Sequence, residues 1–221
     1  MPFTAIDTTT GQRVDITRIQ RPREVLKAGT IICPVCNAPM FIRGGQPNLR
    51  IHFSHNPDRE GREDCEYAIY SRGESPEHIA AKLAIRDNLA LWFSEYDIAT
   101  PDIEVRIPEV KHAHHRIADV MFTFPSGWRV AHEVQLASIT LESLQQRTED
   151  YAEAGIDVFW WFGREASRQR GVQEWSMDNY GFLLQVQWQT SGTADEVVLY
   201  ADNIRSDFEG FSNQKPTGAA M

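Results

Sequence analysis

The stretch from Arg116 to Ile139, RIADVMFTFPSGWRVAHEVQLASI, limits what this chain can fold into more than any other. Two strand-like runs flank Pro125-Ser126-Gly127, which suits a three-residue hairpin loop with its glycine in the left-handed position. Such a loop pairs Phe124 with Trp128, and counting outward in step sets Asp119 opposite Glu133. Glu133 and Gln135 share a face because side chains alternate along a strand. In this register the two carboxylates have Cβ atoms about 5 Å apart. Ile117, Val120, Val134 and Leu136 surround them, so both faces of the hairpin are expected to be covered. Like charges this close repel, and holding them on a covered sheet face is costly. A hard divalent cation offsets the repulsion, and Mg²⁺ commonly takes one or two carboxylates. The hairpin is therefore expected to bind Mg²⁺ or Mn²⁺ through Asp119 and Glu133.

A second cluster precedes it. Cys33-Pro34-Val35-Cys36 is followed by His52 and His55 within HFSH, and then by Cys65. The region between is rich in Gly, Pro and Asn and cannot build much core alone, so it needs another source of order. Zinc takes four nitrogen or sulfur ligands in a tetrahedron. Five candidates compete for four places. Cys33, Cys36, Cys65 and one histidine are favoured, His55 ahead of His52. With every ligand supplied by protein, this zinc would be structural.

The remaining elements can be placed in order. Residues 3–6 and 12–16 read as short strands around a TTTG turn. A helix is expected from Pro76, with Ser75 as its cap and Glu77 in its first turn. Its apolar side extends through Trp92 and Phe93 toward Tyr96, and Thr100-Pro101 ends it. Strands are expected at 102–107, 114–124 and 128–136, then a helix from Leu141 to Ala154 between Thr140 and Gly155. DVFWWF at 157–162 is a continuous apolar run, as in a strand buried on both faces. A short helix near Arg164–Arg170 and strands at 182–189 and 196–200 complete the pattern. The fold class is α/β.

Net charge is −9, from 22 basic and 31 acidic residues, which argues against a simple polyanion-binding surface. The charge is uneven. Up to Arg62 there are 9 basic and 5 acidic residues, so any phosphate-facing footprint is expected there, at Arg13, Arg18, Arg21, Arg23 and Lys27. His112, His114 and His115 are expected in a loop, exposed or against phosphate. No run approaches the roughly 20 apolar residues of a membrane span. The N-terminus lacks the basic and apolar regions of a signal peptide, so a cytoplasmic protein without membrane contact is expected.

HRIADV, AHEVQLASIT, the Arg147-x₃-Tyr151 pair and FWWFG resemble the competence protein CoiA-like family, as do CPVC, HFSH and ESPEH upstream. The resemblance runs roughly from Ile31 to Gly163, and the ordered set is more specific than any one motif. It implies a PD-(D/E)XK (restriction-endonuclease-like) core of order αβββαβ with an N-terminal β-rich zinc-binding module. The expected domains are 1–70 for the strands and zinc module, 71–205 for the nuclease-like domain, and 206–221 for a tail.

By that resemblance Asp119 is the metal-binding aspartate and Glu133 begins the E-x-K motif. Gln135 stands where the superfamily carries lysine, although the CoiA-like branch commonly shows E-x-Q. A glutamine can orient a water or a phosphate oxygen but supplies no positive charge. His78 and Lys82 on the first helix, and Arg147 and Tyr151 on the second, are the candidates to compensate. His78, Lys82 and Arg147 each weigh evenly against a bland reading, a solvated face in the case of Lys82, and the bland reading of Tyr151 is core packing. Glu74 could add a carboxylate. The implied activity is Mg²⁺-dependent endodeoxyribonuclease chemistry (EC 3.1) on nucleic acid, with DNA foremost, as a homodimer or within a larger complex. The competing reading is a non-catalytic nucleic-acid-binding or scaffold protein with a degenerate nuclease fold.

Overall fold

The hairpin forms in the register that its turn dictates. Gly127 takes φ +84° and its N–H donates to the Phe124 carbonyl at 2.9 Å, while the Phe124 N–H donates to the Trp128 carbonyl at 2.8 Å. Val120 pairs with His132 and Thr123 with Arg129, in step with Asp119 opposite Glu133. The computed structural model describes residues 2–46, 50–55, 65, 67, 74–92, 101–191 and 194–202. The expected run of the first long helix through Phe93 to Tyr96, its stop at Thr100, and the tail lie outside these residues.

The chain divides into two compact units, Met1–Ser75 with Asp102–Arg106, and Pro76–Pro101 with Ile107–Met221. In the first unit, β1 (Thr4–Asp7) and β2 (Gln12–Asp15) pair antiparallel around the TTTG turn. A one-turn α1 (Pro22–Val25) follows, and β3 (Ile31–Ile32) adds to the free edge of β1. β4 (Met40–Arg43) and β5 (His52–His55) form a separate antiparallel pair. Phe3, Ala5, Ile16, Met40, Phe53 and Tyr67 are buried here. The buried Thr4, Tyr67 and Glu104 side chains bond to one another.

Of the basic footprint expected of the first third, Arg13 is turned into the fold, while Arg18, Arg21, Arg23 and Lys27 are exposed. Arg13 Nη2 donates to Thr4 Oγ1 at 2.8 Å and to the Ile103 and Glu104 carbonyls at 2.8 and 2.7 Å. A guanidinium so turned has its donors on buried carbonyls, not on phosphate. Arg18 pairs with Asp15 at 3.6 Å, Arg21 with Glu24 at 3.4 Å, and Arg23 donates to the Gly44 carbonyl at 2.6 Å.

The second unit is a mixed sheet with helices. Its elements are α2 (Pro76–Trp92), the end of β6 (Asp102–Val110) from Ile107 on, β7 (Ala113–Thr123), β8 (Arg129–Gln135), α3 (Leu141–Glu153), β9 (Asp157–Phe162), α4 (Arg170–Tyr180), β10 (Leu183–Ser191) and β11 (Ala194–Asp202). The sheet runs in the order β11-β10-β9-β8-β7-β6. β7 and β8 are antiparallel, β9 lies parallel between β8 and β10, and β11 closes back antiparallel. The DVFWWF run is thus an interior strand, with Trp160, Trp161 and Phe162 buried.

Local chemistry explains both ends of α3. The Thr140 hydroxyl accepts from the Ser143 N–H at 3.1 Å, and Gly155 takes φ +67° behind the last turn. Between them Leu144, Arg147, Thr148 and Tyr151 make one stripe at helical spacing, which lies on the sheet. α4 is the element that sequence reading reduced to a short helix near Arg164. A 3₁₀ turn does span Ala166–Arg168, but a three-turn helix follows. Gln169 gives it no side-chain cap, Gly171 weakens its start, and its apolar stripe is only Val172 and Trp175 with the C-cap Gly181 at φ +78°. Trp175 and Phe159 both pack on Tyr180, on the sheet face away from α3. Among the described residues no helix is long and apolar enough to cross a membrane.

Candidate functional site

The first cluster forms around the CPVC turn. Asn37 closes it in the left-handed conformation, φ +55°, its N–H donating to the Cys33 carbonyl at 3.0 Å. The Val35 N–H points at Cys33 Sγ, 3.4 Å away. Cys33 and Cys65 sulfurs stand 3.7 Å apart, and Cys36 Sγ stands 3.4 Å from His55 Nε2. One ligand atom from each of Cys33, Cys36, His55 and Cys65 lies within 4.8 Å of all the others. Burial pushes the Cys33 thiol up; the N–H groups of Cys36 and Val35 favour its thiolate, while Cys65 and Cys36 oppose it. Such a set becomes thiolate when a cation supplies the missing charge, and three sulfurs with one imidazole suit zinc. This Cys₃His group can hold a zinc ion. His52 stands outside it. Its Nδ1 faces the Arg50 carbonyl at 2.9 Å, and burial lowers its pKa, so it is a neutral donor within the fold.

The second cluster lies on β7, β8 and the helices beside them. Asp119 and Glu133 are 2% and 1% exposed. Each caps the other's strand: Val134 N–H donates to Asp119 Oδ2 at 2.8 Å, and Asp119 N–H reaches Glu133 Oε1 at 3.3 Å. His78 on α2 closes on this pair, its Nε2 lying 3.2 Å from Asp119 Oδ2 and 3.1 Å from the Val134 carbonyl. Both neighbours are acceptors, so Nε2 carries the proton here. His78 and Asp119 thus bring an imidazole and a carboxylate together, donors that can hold a metal ion, while Glu74, half-buried, belongs to the first unit.

Glu133 is held from α3. Arg147 Nη2 donates to Glu133 Oε2 at 2.6 Å, and the Tyr151 hydroxyl donates to Oε1. The same guanidinium reaches Gln135 Oε1 through Nη1 at 3.2 Å and lies over the Trp160 ring, 4.5 Å from its centroid. Burial raises the Glu133 pKa to about 7 and Asp119 adds to the rise, while Arg147 and the Tyr151 hydroxyl pull the other way. Gln135 also donates through Nε2 to the Ala137 carbonyl at 2.8 Å.

Of the other residues singled out from the sequence, Lys82 lies one turn beyond His78 and is 0% exposed, so the solvated-face reading of it is wrong. Tyr151 is buried, but its hydroxyl is engaged with Glu133. His112 is not free for phosphate: its N–H and Nδ1 meet Asp150 Oδ1 at 2.8 and 3.0 Å, and Arg116 bonds Oδ2 of the same carboxylate at 2.7 Å. His114 is exposed.

Sequence reading missed two supports. Trp160 faces Arg147 because β9 pairs with β8 at Glu133↔Trp160, and its Nε1 donates to Thr148 Oγ1 at 3.1 Å. Gly163 sits where a Cβ would lie 2.9 Å from the Leu136 Cα, so only glycine lets the two strand ends close beside Gln135. Both follow from the parallel register of β8 and β9, which no local motif announces.

A family model described as competence protein CoiA, nuclease-like domain, matches residues 74–211. Neither the curated proteins nor the solved structures give a match.

Proposed function

The chain belongs to the competence protein CoiA nuclease-like family, and from that premise we propose that it is a metal-dependent nuclease that hydrolyses phosphodiester bonds in DNA. The observation that carries the reading is the buried pair Asp119 and Glu133, set across one hairpin with His78 on one side and Arg147 on the other. The run of helix, three strands, helix and strand from α2 to β9 supports a PD-(D/E)XK core.

The donors fit a hard cation: Asp119 and Glu133 offer carboxylate oxygens, and His78 beside Asp119 can add an imidazole. A bound Mg²⁺ or Mn²⁺ would polarise a phosphate oxygen and lower the pKa of an attacking water. Arg147 holds Glu133 and Gln135 in one geometry and supplies the cation that Gln135 does not. Gln135 orients the water. Tyr151 favours the ionised form of Glu133 by donating to it, against the rise that burial causes. The Cys₃His group holds zinc as a structural ion for the first unit.

Purified protein incubated with single-stranded DNA, duplex DNA and RNA should cut DNA with Mg²⁺ or Mn²⁺ and not with EDTA. Asp119→Ala and Glu133→Ala should each lower the rate by at least about a hundredfold, as loss of a transition-state contact does. Cleavage at the wild-type rate by the double variant refutes the assignment. One observation favours a second reading, a nucleic-acid-binding module that does not cut: Glu133 is already engaged by Arg147 and Tyr151. That reading requires DNA binding without cleavage, indifferent to Asp119→Ala.

A further inference from the structure

Direct pairing across three strand interfaces sets Gln135, Phe162, Gln185 and Tyr200 in one row. Residues paired in register point to the same sheet face, so Gln185 shares the face of Glu133 and Gln135. Gln185 lies two strands from Gln135, roughly 10 Å at ordinary strand spacing. β10 continues past the end of β9 there, and the turn after β9 folds beside it. Between them lies a cavity of about 520 Å³, lined among others by Arg164, Ser167, Arg168, Gln185, Gln187 and Asp202. It stands beside the carboxyl end of the parallel strand β9, along the first half of β10, and ligands commonly sit outside such strand ends.

The chemistry of the lining is distinct from the rest of the unit. Arg86, Arg116, Arg147 and Arg170 each pair with a carboxylate, and Arg129 donates to the Ala154 carbonyl. Arg164 and Arg168 are exposed, and among the described residues neither has an ion-pair or hydrogen-bond partner for its guanidinium. They lie four residues apart, Arg164 just before the Ala166–Arg168 turn and Arg168 at its end. The acid in the lining, Asp202, accepts from Gln185 Nε2 at 3.1 Å, and Tyr200 bonds the other end of that amide at 3.1 Å. Gln185, 8% exposed, is thus a fixed wall. Two unspent guanidiniums in a chain of net charge −9 are a local exception to its field.

We infer that this cavity is a phosphodiester-binding subsite, in which Arg164 and Arg168 grip the backbone of a nucleic-acid strand a few nucleotides from the carboxylate pair. The inference rests on the nuclease reading for what lies at the other end of that strand, and on the cavity alone for the binding. Guanidinium presents paired donors to phosphate oxygens, and such contacts hold position without reading sequence.

The test measures binding of labelled single-stranded DNA and RNA to the zinc-loaded full chain without added Mg²⁺ or Mn²⁺, across about 50 to 200 mM salt. Cleavage with Mg²⁺ is followed separately. R164A/R168A should bind at least about tenfold more weakly at low salt, and its log–log salt slope should be shallower by about 1.5. R164K/R168K should keep most of the slope, and unchanged circular dichroism shows that both variants are folded. Equal losses for DNA and RNA place the recognition on phosphate; a loss for one alone places it on that strand type, and either supports the subsite. Unchanged affinity and slope in R164A/R168A overturns it, as does a wild-type protein that binds neither strand. If the arginines matter but nothing is cut, the nuclease reading fails and the subsite stands. If DNA is cut and the arginines do not matter, the reverse holds.

Discussion

At the scale of single residues, the question is how a site with Gln135 in place of lysine gets its positive charge. On the proposed nuclease reading, Arg147 of α3 supplies it. Arg147 touches Glu133 and Gln135 with different nitrogens and rests on Trp160, so three contacts fix one planar group. Lysine is a point charge and cannot make all three. R147A is expected to lower Mg²⁺-dependent cleavage by about a hundredfold or more, on the scale of losing one preorganised donor. R147K should recover only part of it. Single-turnover rates on duplex DNA measure both; a lysine variant as fast as wild type would reduce Arg147 to a nonspecific charge. The sequence exposed the deficit and named Arg147 and Tyr151 as candidates from their spacing of four. It did not expose Trp160. Turn chemistry placed Asp119 against Glu133, because a three-residue loop sets its own register, whereas the pairing of Glu133 with Trp160 depends on a helical crossover that has no such rule.

At the scale of elements, local signals decided what was legible. Strong caps and turns marked α3 and the β7–β8 hairpin, and a weakly capped start hid α4. The Asp150 contacts were hidden for a different reason: they join α3 to His112 in the loop between β6 and β7, 38 residues away, and to Arg116 on β7. Asp150 is 0% exposed. Burial alone would raise its pKa, but the His112 N–H and the Arg116 guanidinium outweigh that and hold it below the ordinary value of 3.8. A carboxyl with a lower pKa in the folded state binds fewer protons there than when unfolded. Its contribution is therefore complete above the unfolded value and is lost as pH falls through the folded one. D150N should be less stable than wild type by about 2 kcal/mol at neutral pH, the scale of charged hydrogen bonds lost in a buried site. The gap should close as the wild type is taken below its folded pKa in urea melts. A gap that stays constant from neutral to strongly acid pH would mean that the loss is packing rather than charge.

At the scale of the whole molecule, the two units differ in what can hold them together. The second has a six-stranded sheet with a run of buried aromatics at Trp160, Trp161 and Phe162. The first has a three-stranded sheet with a two-residue edge, and a separate two-stranded pair. A two-stranded pair is marginal on its own in water. The sequence showed this imbalance through a Gly- and Pro-rich stretch without periodicity, and its Cys and His spacing marked the remedy. Cys33 and Cys36 lead toward β4, His55 ends β5, and Cys65 lies beyond it, so one ion at these four groups would tie the pair to its flanks. Structural zinc is worth about 10–16 kcal/mol, comparable to the whole stability of a small domain at about 5–15 kcal/mol. Removing it should therefore unfold the first unit and leave the second protected. Metal analysis is expected to give about one zinc per chain, and C36S to lose it. Hydrogen exchange after chelation should release the amides of 31–43 and 52–55 while those of 129–135 and 157–162 stay slow. Zinc-free protein with β4 and β5 still protected would show that the apolar core of Phe3, Met40 and Phe53 suffices without the metal.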